Sequence, residues 1–233
     1  MKTIIFLMLL SAGILRAQDF GYEYAMLTDY RALGVSYYLQ QFRPSPGNTL
    51  PDSSHIRFST PMPMAEFRQS DSRLAIGYQT YEDRRGRSRE AFSVYASTTS
   101  DLPLFPSARS KGNWFIPFMV SATYVRAQSP DAALEDFDVG SLGLGAGVKF
   151  KRFTRDLGIE ATAAVSLGYA SEGFSTDYGT ETALTGEVTI ILPYVILEGV
   201  LLGYRYEQQE WNMNNNGLDY RRQHHGAVIG ILF

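Results

Sequence analysis

From Tyr30 to Phe233, apolar and polar residues alternate with a period of two in about ten runs separated by turn-rich breaks. Successive side chains on a strand point to opposite faces, so each run predicts a strand with one greasy face and one small or polar face. The closing run, Tyr220–Phe233, sets Ala227, Ile229, Ile231 and Phe233 against Arg222, His224, Gly226, Val228 and Gly230. The first run sets Leu33, Val35, Tyr37 and Leu39 against Gly34, Ser36, Tyr38 and Gln40. A second, His55–Arg68, carries Ile56, Phe58, Met62 and Met64 as its apolar row, interrupted by Pro61 and Pro63. Proline cannot donate to a ladder, so this strand is expected to be bulged or locally unpaired.

Leu74, Ile76 and Tyr78 then form a hairpin with Phe92, Val94 and Ala96, through a turn at Asp83–Ser88. The fifth run has an unbroken row of Trp114, Ile116, Phe118, Val120, Ala122 and Tyr124. In the sixth, Leu142, Leu144, Ala146, Val148 and Phe150 oppose glycines and Lys149; in the seventh, Leu157 to Tyr169 oppose Gly158, Glu160, Thr162 and Ser166. The eighth sets Leu184, Val188, Ile190 and Leu192 against Glu187, and the ninth sets Val200, Leu202, Tyr204 and Tyr206 against Gly203, Arg205 and Glu207. Val188–Tyr204 resembles a membrane helix in mean hydropathy, but Pro193 and Glu198 interrupt it and a turn at Leu192–Tyr194 divides it into two strands.

Soluble sandwiches and barrels also alternate, so the assignment rests on what each face carries. A water-facing row would be rich in Lys, Glu, Thr and Asp; the second row here is mostly Gly, Ala, Ser and Thr with occasional charges. That suits the lumen of a narrow membrane barrel whose bulky row faces lipid. Trp114 and Tyr124 bracket the fifth row ten residues apart, which at about 3.3 Å per residue and a tilt near 40° spans roughly 25 Å, the height of an apolar band between aromatic girdles. Tyr194 and Tyr204 repeat the spacing on the ninth strand, and Tyr169, Phe150 and Phe233 are further interfacial aromatics. Short linkers at Gln69–Ser72, Lys151–Arg155 and Leu192–Tyr194 fall at every second connection; the compact Asp83–Ser88 turn and the long Ser100–Gly112 connection depart from that rule. The fold class is therefore all-β: a closed antiparallel up-and-down transmembrane barrel of about ten strands, with eight to twelve compatible.

Composition narrows the chemistry. The 233 residues contain no cysteine, which excludes disulfides, thiolate metal sites and a thiol nucleophile. A formal net charge of −3 gives no reason to expect a nucleic-acid partner. Residues 1–17 read as a secretory signal, with Lys2, an apolar Ile4–Leu10 core and Ala17 before Gln18; the −3 position, Leu15, is atypical. Cleavage there would remove Lys2 and Arg16 and take the net charge from −3 to −5, leaving residues 18–233 as one barrel domain.

The leader ending Arg16-Ala17-Gln18, the two-residue repeat and the terminal Ala227-x-Ile229-x-Ile231-x-Phe233 together resemble a bacterial outer-membrane β-barrel protein. The resemblance covers nearly the whole mature chain and implies residence among outer-membrane lipid. It also implies the barrel-assembly machinery as a partner that reads the final strand, although Ile231 stands where an aromatic is common.

The polar row supplies the candidate site: Arg73, Lys149, Glu160, Glu187, Arg205, Glu207, Arg222 and His224, all expected to face the lumen. Charges in a narrow barrel must be paired or wet, so they form either a plug of salt bridges or a narrow polar path. Omptin-type barrel proteases use His and acidic residues near the external rim, but His224 and His225 face opposite ways, and no positioned acid pair accompanies His224. His55 with Ser53 or Ser59 fails as a base–nucleophile pair for the same reason of parity. Gly143-Leu144-Gly145-Ala146-Gly147 has the period of a strand rather than of a nucleotide-binding loop; its glycines are expected to relieve crowding by an element inside the wall, such as Asp19–Asp29. The expected role is structural, surface-binding or narrow-pore, without cofactor or catalysis, with Arg43–Ser54 and Trp211–Asp219 as loops for partner contacts. A barrel enzyme, or a soluble periplasmic barrel binding an apolar ligand, is the alternative.

Overall fold

The computed structural model describes residues 30–233 apart from 84–85, 105–112, 131–135, 155, 174–176, 194 and 215. The expected signal segment, Asp19–Asp29 and the interfacial candidate Tyr194 lie outside the described residues.

Ten strands follow one another in chain order: β1 (Arg31–Pro44), β2 (Phe58–Gln69), β3 (Ser72–Glu82), β4 (Ser88–Pro103), β5 (Asn113–Ala127), β6 (Phe137–Phe153), β7 (Gly158–Glu172), β8 (Tyr178–Pro193), β9 (Gly199–Met213) and β10 (Tyr220–Leu232). Each pairs antiparallel with its sequence neighbours, and β10 pairs with β1 to close the barrel. In that closing seam Val35 lies opposite Ile229 and Leu39 opposite His225. The connections at 70–71, 104–112, 154–157 and 194–198 share one end of the barrel, and those at 45–57, 83–87, 128–136, 173–177 and 214–219 share the other. We call these the inner and outer ends.

The alternation turns inside out relative to a soluble protein. Leu33, Val35, Leu142, Val165 and Ile229 point outward and are exposed, with Leu144 and Leu167 at 71% and 70% of their possible surface. Such a belt of aliphatic side chains on a continuous cylinder matches the outer face of a membrane barrel. Ser36, Arg73, Ser93, Ser121, Ser166 and Thr185 occupy the other parity and are buried in the lumen. At the inner end Trp114 packs on Phe150 across β5–β6, ring centroids 5.1 Å apart. Near the outer end Tyr169 stacks on Tyr178 at 6.1 Å.

Several expectations need correction. In β2 the apolar row faces inward: Phe58, Met62 and Met64 are buried, while Ser59, Pro61 and Pro63 are exposed. β9 starts at Gly199, after a turn containing the positive-φ Leu197. β4 runs to Pro103, so only the last part of Ser100–Gly112 is connection. Arg43 belongs to β1 and Trp211–Met213 to β9, so the outer loops are shorter than expected.

The glycine row of β6 is demanded by the wall itself. A Cβ on Gly147 would sit 2.0 Å from the Ala163 carbonyl oxygen, and one on Gly145 2.6 Å from that of Val165, both on β7. Close approach of the neighbouring backbone requires these positions to lack a side chain.

Candidate functional site

The lumen has three storeys, each built from inward positions on several strands. At the inner end Lys149 and Lys151 of β6 meet Asp71 in the β2–β3 turn and Asp101 of β4. Lys149 Nζ lies 2.6 Å from Asp71 and 3.0 Å from Asp101, and Lys151 Nζ lies 2.9 Å and 2.7 Å from the same two carboxylates. Burial opposes ionisation of Asp71, but Lys149 and then Lys151 outweigh it and hold its carboxyl below the usual carboxylate range. A polar cavity opens here, lined by Tyr30, Arg68, Lys149, Glu160 and Glu187 among others. The Tyr30 hydroxyl reaches the Glu160 carboxylate at 3.4 Å.

The middle storey is a continuous chain of alternating charge. Glu66 of β2 accepts from Arg73 at 2.7 and 3.1 Å, from Arg68 at 3.1 Å and from the Tyr38 hydroxyl at 2.9 Å. Arg68 also reaches across the lumen to Glu187 of β8. Glu187 accepts from Arg205 at 2.7 Å, and Arg205 holds Glu207 at 2.6 Å. His224 lies 3.7 Å from Glu207, with its ring 4.7 Å from that of Tyr38. Arg222 donates to the Ser93 hydroxyl at 2.6 Å and to Gln209.

The outer storey is apolar. Phe42 stacks on Phe58 at 5.2 Å and on Tyr220 at 5.0 Å, and meets Phe137 edge-on at 5.1 Å. Phe137 in turn contacts Trp211 at 5.3 Å, and Phe58 stacks on Tyr81 at 4.3 Å. Together these rings form a lid over the charges. Above it the loop at 45–57 docks on the β9–β10 connection: Ser45 N–H donates to the Asp219 carbonyl at 2.9 Å, and Asn48 donates to the Gly217 and Asp219 carbonyls at 3.0 Å each.

All eight polar candidates face the lumen, and Glu187, Arg205, Glu207, Arg222 and His224 belong to one network with Arg73. Lys149 and Glu160 stand apart, at the inner end. Glu66, Arg68, Asp71, Asp101 and Lys151, and the aromatic lid, are members that sequence reasoning missed. Glu66 and Arg68 share parity with Met62 and Met64, so a lipid-facing reading of that row would have set two charges in the bilayer. That conflict was the available signal. His225 faces outward, where its Nδ1 and the Tyr204 hydroxyl are 2.9 Å apart, so the two histidines do not meet. His55 lies in the outer loop beside Asp52 at 3.4 Å. Among the described residues no group of three or more His, Asp or Glu is placed to hold a metal ion.

Of the interfacial candidates, Trp114, Tyr169, Tyr204 and Phe233 are exposed on the outer face, and Tyr124 and Phe150 are half-buried there.

No protein-family model matches the chain, and no curated protein matches it. Among solved structures it is similar to Neisserial surface protein A, at 16% identity and a TM-score of 0.30, over 86% of this chain and 97% of that one. It is also similar to the outer membrane protease OmpT from Escherichia coli, at 9% identity and a TM-score of 0.32, over 88% and 95% of the two chains. Ail, the attachment invasion locus protein of Yersinia pestis, matches at 9% identity and a TM-score of 0.23, over 88% and 99%. At such identities and scores these likenesses assign no activity. The even strand number, antiparallel closure, outward aliphatic belt and flanking aromatics stand on the strand pairing alone, and they make the chain a β-barrel of the outer-membrane type.

Proposed function

We propose that this protein is an exported outer-membrane barrel with a closed lumen, acting as a structural and surface-interaction element rather than as a pore or an enzyme. The observation that carries the reading is the cross-lumen network beneath the aromatic lid: Arg68–Glu187, Arg205–Glu187 and Arg222–Ser93 join strands that are not all neighbours in the wall. Ions would have to cross a paired, desolvated storey and then a stack of rings, both unfavourable for a charge. The outer rim is where the protein meets its surroundings. There Arg57 pairs with Asp52 at 2.8 Å and Arg126 with Asp136 at 3.0 Å, in partly exposed positions suited to a polar partner surface.

The burial of His224 under the lid, at 5% exposure, supports a non-catalytic reading, since a general base must reach its substrate. The outward row supports membrane residence over the soluble alternative, which needs its bulky residues inside. The exposure of Phe233 at the inner end, beside the start of β1, supports the reading of the final strand as a signal to the assembly machinery. Reconstitution in a planar bilayer tests the proposal: the purified barrel is expected to show no stepwise conductance at moderate voltage. A steady open level in the unmodified protein would overturn it.

A further inference from the structure

Among the described residues the longest break in the pairing of the wall lies between β2 and β3. β2 pairs with β1 along its whole length, to Phe42↔Phe58, and β3 pairs with β4 up to Glu82↔Ser88. Between β2 and β3 the ladder runs only from Gln69↔Ser72 to Met64↔Gly77. Phe58–Pro63 and Tyr78–Glu82 thus face each other without pairing. Pro61 and Pro63 explain this. They share one parity, and Ser70 N–H donates to the Tyr30 carbonyl, so the even positions of β2 bond to β1 and both missing proline donors fall on the edge toward β3.

Side chains close the seam where hydrogen bonds do not. Phe58 stacks on Tyr81 at 4.3 Å, and Met62 and Met64 press against Gly77, where a Cβ would lie 2.6 Å from Met64 Cγ and 3.0 Å from Met62 Sδ. Unbranched thioether side chains are the most easily rearranged of apolar fillers. Just behind the gap, Gln79 is 95% buried, and neither its amide oxygen nor its amide nitrogen has a partner. An unpaired buried amide is costly, and this one points inward from the unpaired part of β3. On the lipid side the exposed row Leu74, Ile76 and Tyr78 ends where the gap begins, so the opening sits at the outer margin of the apolar belt.

We infer that the β2–β3 seam is a lateral binding site for an acyl chain of an outer-leaflet lipid. The chain enters past Pro61 and Pro63 onto Met62 and Met64, and the ester or amide group of the lipid satisfies Gln79. The apolar path favours a lipid over an added peptide strand, because the position lies level with the acyl–headgroup boundary and the inward lining is methionine and phenylalanine. The inference goes beyond the structural role and survives its failure, since lateral entry and axial conduction are separate properties.

Photo-crosslinking tests it with the full chain folded in vesicles of phosphatidylcholine whose acyl chain carries a diazirine, with adducts mapped by peptide mass spectrometry. The chain has no cysteine, so Ser59→Cys with Glu82→Cys gives a staple across the outer end of the seam that leaves both prolines in place. In the reduced protein, adducts are expected on the inward Met62 and Met64 as well as on the lipid-facing Leu74 and Ile76. Oxidation should lower the inward adducts at least tenfold and leave the lipid-facing ones unchanged. Gln79→Leu should lower inward labelling about tenfold at limiting lipid, as loss of a buried hydrogen-bond partner predicts. Labelling confined to lipid-facing residues in both redox states overturns the inference and leaves the edges to strand addition by another protein. Inward labelling indifferent to the staple overturns it equally, since the chain would then enter elsewhere.

Discussion

Whether the lumen is dry or wet can be decided at Glu66. Its carboxylate is almost wholly buried and accepts two bonds from Arg73, one from Arg68 and one from the Tyr38 hydroxyl. Glu66→Gln keeps the volume and one acceptor but aims an amide N–H₂ at a guanidinium that can only donate. At about 1.5–3 kcal/mol for a hydrogen bond to a charged group, losing two of them costs about 3–6 kcal/mol. Removal of one partner from a buried pair typically costs about 3–5 kcal/mol, a range that falls within it. A water-filled lumen would screen the pair to the roughly 0.2–1 kcal/mol of an exposed one. The two cases differ by more than the error of a urea titration.

The assay is reversible unfolding in lipid vesicles, followed by tryptophan emission and by heat-modifiable electrophoresis, with the m-value checked for constancy. The double variant Glu66→Gln with Arg73→Gln should cost less than the sum of the single changes by up to about 3 kcal/mol, because it strands no charge opposite an amide. Raising salt should barely alter the effect, since a desolvated pair is poorly screened. A loss below about 1 kcal/mol, or one that vanishes in high salt, would refute the closed-lumen argument.

Other positions test the wall and its surroundings. Val165→Arg, at the middle of β7 on the outward row, should cost about 2–4 kcal/mol in vesicles, whereas an exposed site in water would lose at most about 0.5 kcal/mol. Gly147→Val should fail to give a heat-modifiable folded band, because its Cβ collides with the Ala163 backbone, while Gly186→Ala meets nothing within 4 Å and should shift stability by less than about 0.5 kcal/mol. Asp71, in the inner turn, has a depressed carboxyl pKa. Its stabilisation is therefore complete above the unfolded value of about 3.9 and is lost as pH falls through the folded value. Stability should decline below about pH 4 in the parent, and Asp71→Asn should be weaker at neutral pH and lose the Asp71 share of that acid decline.

Parity along the strands was legible because lipid and lumen impose a strict period of two. The sequence misled where that logic inverts. Past the outer margin of the belt the wall continues, and its inward row changes from polar to aromatic: Gln40 gives way to Phe42, Gln209 to Trp211 and Arg222 to Tyr220. There the barrel packs its inside as a soluble protein does. Phe58 belongs to that region and Met62, level with Tyr38, lies at the margin of the belt, so reading their row as lipid-facing carried the membrane rule past the edge of the belt. The prolines of β2 correctly announced local unpairing, seen now as the gap toward β3. Partner choice across the lumen was beyond reach, because Arg68 and Glu187 are separated by 119 positions and only barrel closure brings them together.

That closure also explains why charges line a space that apolar side chains could have filled. Buried ion pairs are weak stabilisers against well-packed hydrophobic replacements, so net stability is a poor reason for this network. Ladder hydrogen bonds fix only the spacing of adjacent strands, and a closed ladder can still flatten or slip. Gln209–Thr123 joins β9 to β5, Arg222–Ser93 joins β10 to β4, and Arg68–Glu187 joins β2 to β8. These are struts across the cross-section, with directions that a greasy filling lacks. The network thus specifies the shape of the barrel. The outer part of the β2–β3 seam, beyond the Met64↔Gly77 pair and the Glu66–Arg73 bonds, is held differently, by β1 on one side and β4 on the other, with a ring stack and two methionines between. It is the place where the wall can open without breaking a strut.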